Sequence, residues 1–256
     1  MKWLRLALVF AFIAFVISCY EVNEEVVINE DGSGVYESRI DMSQLIELMQ
    51  SFAGEEELTK NGLDRAIDTV VSMQTILDSA DEATRKENAW MKDGKMFFKL
   101  NIKEKLFNIR MNIPYHTQQQ LESLMEGQGT LMKNSFSGLL KSNKQPEMTP
   151  DSSEATFQDM VSLYDITLNN GLIKKEVDTA KYKQLMTRPQ VSDIKQMAAQ
   201  GMEMMYTTSF KLPRPVKSTG NHPLLKVSED KRTVELRYNL LDIVNDPAKY
   251  SFTIEY

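Results

Sequence analysis

The chain has 256 residues, with 30 Lys and Arg against 36 Asp and Glu, a net charge of −6 and a single cysteine. An acidic chain without a long basic run has no electrostatic footprint for nucleic acid. One cysteine permits no internal disulfide, and the length suits one large domain or two small ones, with ample material for a core.

Met1 to Arg5 carries two positive charges, Lys2 and Arg5, and Leu6 to Ile17 is a run of twelve apolar residues. A charged start followed by an apolar run of this length is the layout of a secretory signal peptide. It is too short to span a bilayer, which takes about 20 apolar residues. The run ends in Val16-Ile17-Ser18-Cys19, which resembles a bacterial lipobox. The resemblance implies a diacylglycerol on the Cys19 thiol, cleavage before Cys19 and acylation of the new amine. It divides the chain into a signal peptide, 1–18, and an envelope domain, 19–256. The mature chain keeps 28 basic and 36 acidic residues, a charge of −8. Tyr20 stands where the lipobox pattern of enteric bacteria places Asp for inner-membrane retention, which implies the outer membrane.

Residues 22–29 read as a strand, Glu30-Asp31-Gly32-Ser33-Gly34 as a turn and Val35 to Ile40 as the returning strand. Asp41-Met42-Ser43 opens a helix whose apolar residues Met42, Leu45, Ile46, Met49 and Phe52 share one face. Its polar face has no Lys or Arg, so the helix is expected to pack on the core rather than lie on a membrane. Glu55 to Gly62 is a charged loop. Residues 67–73 read as a strand followed by a short helix, and 81–88 as a polar loop or helix end.

Strict alternation from Met96 to Ile102 and from Phe107 to Ile113 marks a hairpin with one buried face, turning at Lys103-Glu104-Lys105 and stopped by Pro114. Residues 117–140 carry a helical stripe weakened by Gly127 and Gly129. Pro146, Pro150 and the polar residues around them make 141–154 the candidate linker. A second hairpin lies at 161–177 around Asn169-Asn170-Gly171. Helices follow near Tyr182 to Met186 and from Val191 to Gly201. Met202 to Leu212 reads as a strand, Pro213 to Ser218 as extended chain, and 233–238 and 250–256 as strands joined by a short helical turn at 241–245.

The chain offers few reactive groups. His116 and His222 have no Cys, Glu or His at zinc spacing. No Gly-x-Ser-x-Gly elbow, phosphate loop or dinucleotide fingerprint occurs. Asp31-Gly32-Ser33-Gly34 lacks the further carboxylates of a calcium loop. Met202, Met204 and Met205 fall on two faces of one strand and are expected in packing rather than around soft copper. Trp90 reads as a half-buried aromatic. Arg214, Lys217, His222 and Lys226 form the one local basic concentration and read as solvated charge. No catalytic residue, metal site or cofactor is therefore expected, and lipid attachment at Cys19 is the only site assigned.

The opening hairpin with its Asp31-Gly32-Ser33-Gly34 turn, directly after Cys19, is joined by a late pattern. That pattern is Phe210-Lys211-Leu212-Pro213-Arg214-Pro215-Val216 followed by Val234-Glu235-Leu236-Arg237-Tyr238. Together the two resemble uncharacterised bacterial envelope lipoproteins, including those with an LppM-type domain. The resemblance covers about 80 residues at the two ends, and 55–160 departs from a compact domain of that type. It implies an α+β envelope domain and supplies no catalytic residues. The expected fold is α+β, an antiparallel sheet with several helices packed on one face. The expected function is a non-enzymatic, lipid-anchored protein that binds an envelope partner or ligand. The alternative is a carrier of lipid or another hydrophobic ligand in a cavity between helices and sheet.

Overall fold

Alternation of apolar and polar residues builds most of the fold in the computed structural model, which describes residues 18–44, 46, 66–126, 159–199 and 201–256. Among these residues eleven strands form two sheets. The larger takes β1 (Ser18–Ile28), β2 (Gly34–Asp41), β3 (Ile67–Ser72), β4 (Lys95–Asn101), β5 (Leu106–Tyr115), β8 (Glu203–Lys211), β9 (Leu225–Val227) and β10 (Thr233–Asn239). Its order is β3-β4-β5-β2-β1-β8-β10-β9. Only the β1–β8 pair within it is parallel. The smaller sheet, β11-β7-β6, is antiparallel and uses β6 (Tyr164–Asn169), β7 (Leu172–Val177) and β11 (Phe252–Glu255). The protein is α+β.

The period of two places Val22, Val26 and Ile28 of β1, Met96, Phe98 and Leu100 of β4, and Phe107, Ile109, Met111 and Ile113 of β5 in the core. The smaller sheet closes over the β8–β10 end of this face, where Phe210 meets Phe252 edge-on at 6.0 Å and Tyr238 stacks on Tyr250 at 4.7 Å. Its β6 edge is finished by side chains. Residues 118–126 are helical, and Glu122 and Glu126, one turn apart, accept the backbone N–H groups of Leu168 and Ile166 at 2.5 and 3.3 Å. Two carboxylates at helical spacing thus meet alternate residues of a strand, as a neighbouring strand would.

The β1–β2 and β6–β7 turns use glycine for positive φ, Gly32 at +83° and Gly171 at +97°, whereas the β4–β5 turn places Lys105 at +53°. At Gly34 the reason is space, since a Cβ there would lie 1.8 Å from the Val27 carbonyl oxygen.

Several expectations are revised or resolved. Of the two readings of 81–88, loop or helix end, the structure has helix over Glu82–Glu87, because Asp81 caps it by accepting from the Thr84 amide and hydroxyl at 2.9 and 2.7 Å. Pro114 does not stop β5. It pairs with Val35 beyond the end of β4, whose register with β5 stops at Asn112, so its missing N–H faces no strand on that side. Tyr250 lies in the 3-10 turn Pro247–Tyr250 rather than in the last strand, and that strand joins the smaller sheet. The three-residue β9, paired with β10, is absent from the sequence reading. The signal peptide up to Ile17, most of the helix from Met42, the stripe beyond residue 126 and the linker 141–154 lie outside the described residues.

Candidate functional site

The most concentrated chemistry lies between the sheets. On β1, Val22, Glu24 and Val26 share one phase, so the alternation that buries two valines also carries a glutamate inward. Glu24 is 4% exposed and is the only buried carboxylate among the described residues. Its cross-strand neighbours are Ser38 on β2 and Thr208 on β8, both buried. Tyr36, opposite Val26, and Tyr206, opposite Val22, reach it from its two ends. The carboxylate accepts from Tyr36 Oη at 2.8 Å, from Thr208 Oγ1 at 3.1 Å and from Tyr206 Oη. Burial, reinforced by the Glu24 charge, holds both phenols well above the usual tyrosine range, so they stay protonated donors.

The smaller sheet answers with a cation. Lys175 stands on the central strand β7, in phase with Ile173 and Val177, between Ile166 of β6 and Phe252 of β11. Its Nζ lies 4.3 Å from the Tyr164 ring centroid and 5.4 Å from that of Tyr238. No carboxylate among the described residues approaches it closely enough for an ion pair. Burial lowers its pKa to about 8, and the Glu24 charge offsets only part of that shift. The cavity between the two groups is lined by Glu24, Lys175, Tyr206, Thr208 and aromatic rings, and has a volume of about 20 Å³. That is room for roughly one water-sized molecule. The arrangement can hold a proton and lock two sheets in register, but it has no space for a substrate.

The residues singled out in the sequence do not converge there. Cys19 lies in the backbone of β1 itself, where the neighbouring Ser18 and Tyr20 pair with Glu203 and Met204. His116 is exposed, and its amide donates to Gln120 Oε1 at 2.7 Å. His222 Nδ1 accepts from the Leu224 amide at 3.3 Å, and its Nε2 lies 3.1 Å from the Lys249 carbonyl, tying one turn to another. Asp31 accepts from the Ser33 hydroxyl at 2.6 Å and its amide at 3.0 Å, which lowers its pKa and occupies it within the turn. Arg214 donates to Asn170 at 2.5 Å and Lys217 to the Tyr256 carbonyl at 3.1 Å, so this basic segment clamps the smaller sheet. Trp90 is half-buried against the core. Among the described residues no group of His, Cys, Asp and Glu could hold a metal.

Glu24 and Lys175, absent from the sequence-based site assignment, each carry a signal, a charge in the apolar phase of a strand.

No family model matches the chain, and no curated protein matches it. Among solved structures it is similar to the NMR structure of the folded domain of Mycobacterium tuberculosis LppM. The match is 10% identical, covers 93% of this chain and 90% of that one, and has a TM-score of 0.34.

Proposed function

We propose that the chain is a lipid-anchored protein of the bacterial cell envelope, attached through acylated Cys19 to the outer membrane, and that it acts by binding an envelope partner rather than by catalysis. The observation that carries this reading is the run Val16-Ile17-Ser18-Cys19 closing an apolar segment and holding the only cysteine of the chain. The interior supports binding over chemistry, since its polar cluster surrounds a water-sized cavity. Among the described residues it also favours a surface partner over a carried lipid, because a ligand pocket takes roughly 300 Å³ or more.

Metabolic labelling with a palmitate analogue tests the anchor. The wild type takes the label and fractionates with outer membranes, and Cys19→Ala loses both properties. Equal labelling of the two overturns the lipid assignment.

A further inference from the structure

The two sheets end in β3 and β9 on the larger and in β11 and β6 on the smaller. All but β3 are protected. The β6 edge carries the Glu122 and Glu126 carboxylates. Along β11 the Lys217 amide donates to the Glu255 carbonyl at 2.7 Å, and the Glu255 amide to the Ser218 carbonyl at 2.8 Å. β9 is three residues long with exposed Lys226 at its centre. Covering chain, short length and a lysine are common ways to keep a strand edge from pairing with another molecule. β3 uses none of them. Its six residues, Ile-Asp-Thr-Val-Val-Ser, include no Pro, Gly, Lys or Arg, and among the described residues only β4 pairs with it.

The ladder fixes where the free backbone groups of β3 point. The Met73 amide donates to the Gly94 carbonyl at 2.9 Å, continuing the β3–β4 register. Hydrogen-bonded positions alternate in an antiparallel pair, so Val71, Thr69 and Ile67 also turn their backbone groups to β4. Asp68, Val70 and Ser72 turn theirs to the open edge. The side chains of these three are exposed, and Val70, at 56%, is the most exposed large hydrophobic among the described residues. Across the ladder from it stands Phe97, half-buried beneath the Arg110 guanidinium.

We infer that β3 pairs with β3 of a second copy of this chain, antiparallel about a two-fold axis at Val70, joining two larger sheets into one. Such a pair must set outward backbone groups against outward backbone groups, which restricts the axis to Asp68, Val70 or Ser72. An axis at Asp68 would place two carboxylates face to face. An axis at Ser72 would bring Val70 against the helix Met73–Asp78 instead of a strand. At Val70 the match is complete. Val70 exchanges both ladder bonds with its own counterpart, Asp68 of each copy faces Ser72 of the other, and no like charges meet. Phe97, Val70 and their counterparts form one apolar row that covers the exposed valine.

The inference goes beyond the anchored-binder reading, and neither read-out of its test uses the lipid. Cysteine cross-linking of the full chain in detergent micelles reads the register, with Cys19→Ala added to each variant so that only the introduced thiol reacts. Opposed Cα atoms in a hydrogen-bonded pair lie about 5.5 Å apart, within disulfide reach. Val70→Cys should give a disulfide-linked dimer under mild oxidation. Asp68→Cys should give none, because Asp68 faces Ser72 and the two thiols lie roughly 14 Å apart. Sedimentation of the same micelles reads the interface itself. The wild type should be a dimer, and Val70→Lys, which sets two ammonium groups face to face, a monomer with unchanged thermal unfolding. The inference fails if the wild type is monomeric at the highest concentration reached, or if Asp68→Cys cross-links as readily as Val70→Cys. A dimer that survives Val70→Lys also overturns it, by placing the contact on another face.

Discussion

The hairpins β1–β2 and β6–β7 share one construction, two strands around a glycine turn, and each sends one charge into the same interior. They handle it differently. Glu24 of the first has three hydroxyl donors around it, Tyr36 from its own hairpin and Tyr206 and Thr208 from β8, so the carboxylate is buried and satisfied. Lys175 of the second is half-buried against the Tyr164 ring of its own hairpin and the Tyr238 ring of β10, with only the distant field of Glu24, so its ammonium is desolvated and poorly compensated. Burial alone therefore does not decide what a charge costs; the donors and acceptors built around it do.

The largest test of this asymmetry is Glu24→Leu. It strips the acceptor from Tyr36, Tyr206 and Thr208 and leaves Lys175 without an opposing charge. A loss of about 3–5 kcal/mol in urea unfolding is expected, with Glu24→Gln falling well short of that. Lys175→Met should act in the opposite direction, removing a poorly solvated cation while filling the same volume, and raise stability by about 1 kcal/mol. Equal losses from the two single variants would break the comparison.

The smallest effect is on pH dependence. The folded pKa of Lys175, about 8, lies below its ordinary value of 10.5. Below pH 8 both states hold the proton and the native state bears the full cost of burying it. As pH rises past 8 the native state releases the proton while the unfolded chain keeps it, so stability rises. Above about pH 10 the phenols oppose this trend. Burial raises the pKa values of Tyr36, Tyr206 and Tyr238, so the unfolded chain ionises first and stability falls. Unfolding midpoints of the wild type should thus climb between pH 8 and 10 and then turn down, and Lys175→Met should lose the climb and keep the fall.

Much of the fold is legible in alternation and turn chemistry. The hairpins at 18–41 and 164–177 follow from period two and from glycine turns, that at 95–115 from period two around a charged turn, and the switch from strand to helix at Met73 follows from Ser72, which caps the helix. The division into two sheets is not legible, because Phe252 and Ile254 look alike whichever sheet they pair with. The parallel contact of β1 with β8 joins residues about 180 positions apart and leaves no local mark. The polar cluster was legible in part, since Glu24 and Lys175 occupy apolar phases, but only the fold shows that they face one another.

The position of β1 has a mechanical consequence. The strand that contains Cys19 is not an edge; β2 lies on one side of it and β8 on the other. Ladder bonds run across the strands, so tension applied along β1 from a lipid on Cys19 loads both rows of bonds side by side, in shear. An anchor on an edge strand would load only one such row. With the proposed anchor there, the pull of a moving membrane would fall on the middle of the largest sheet.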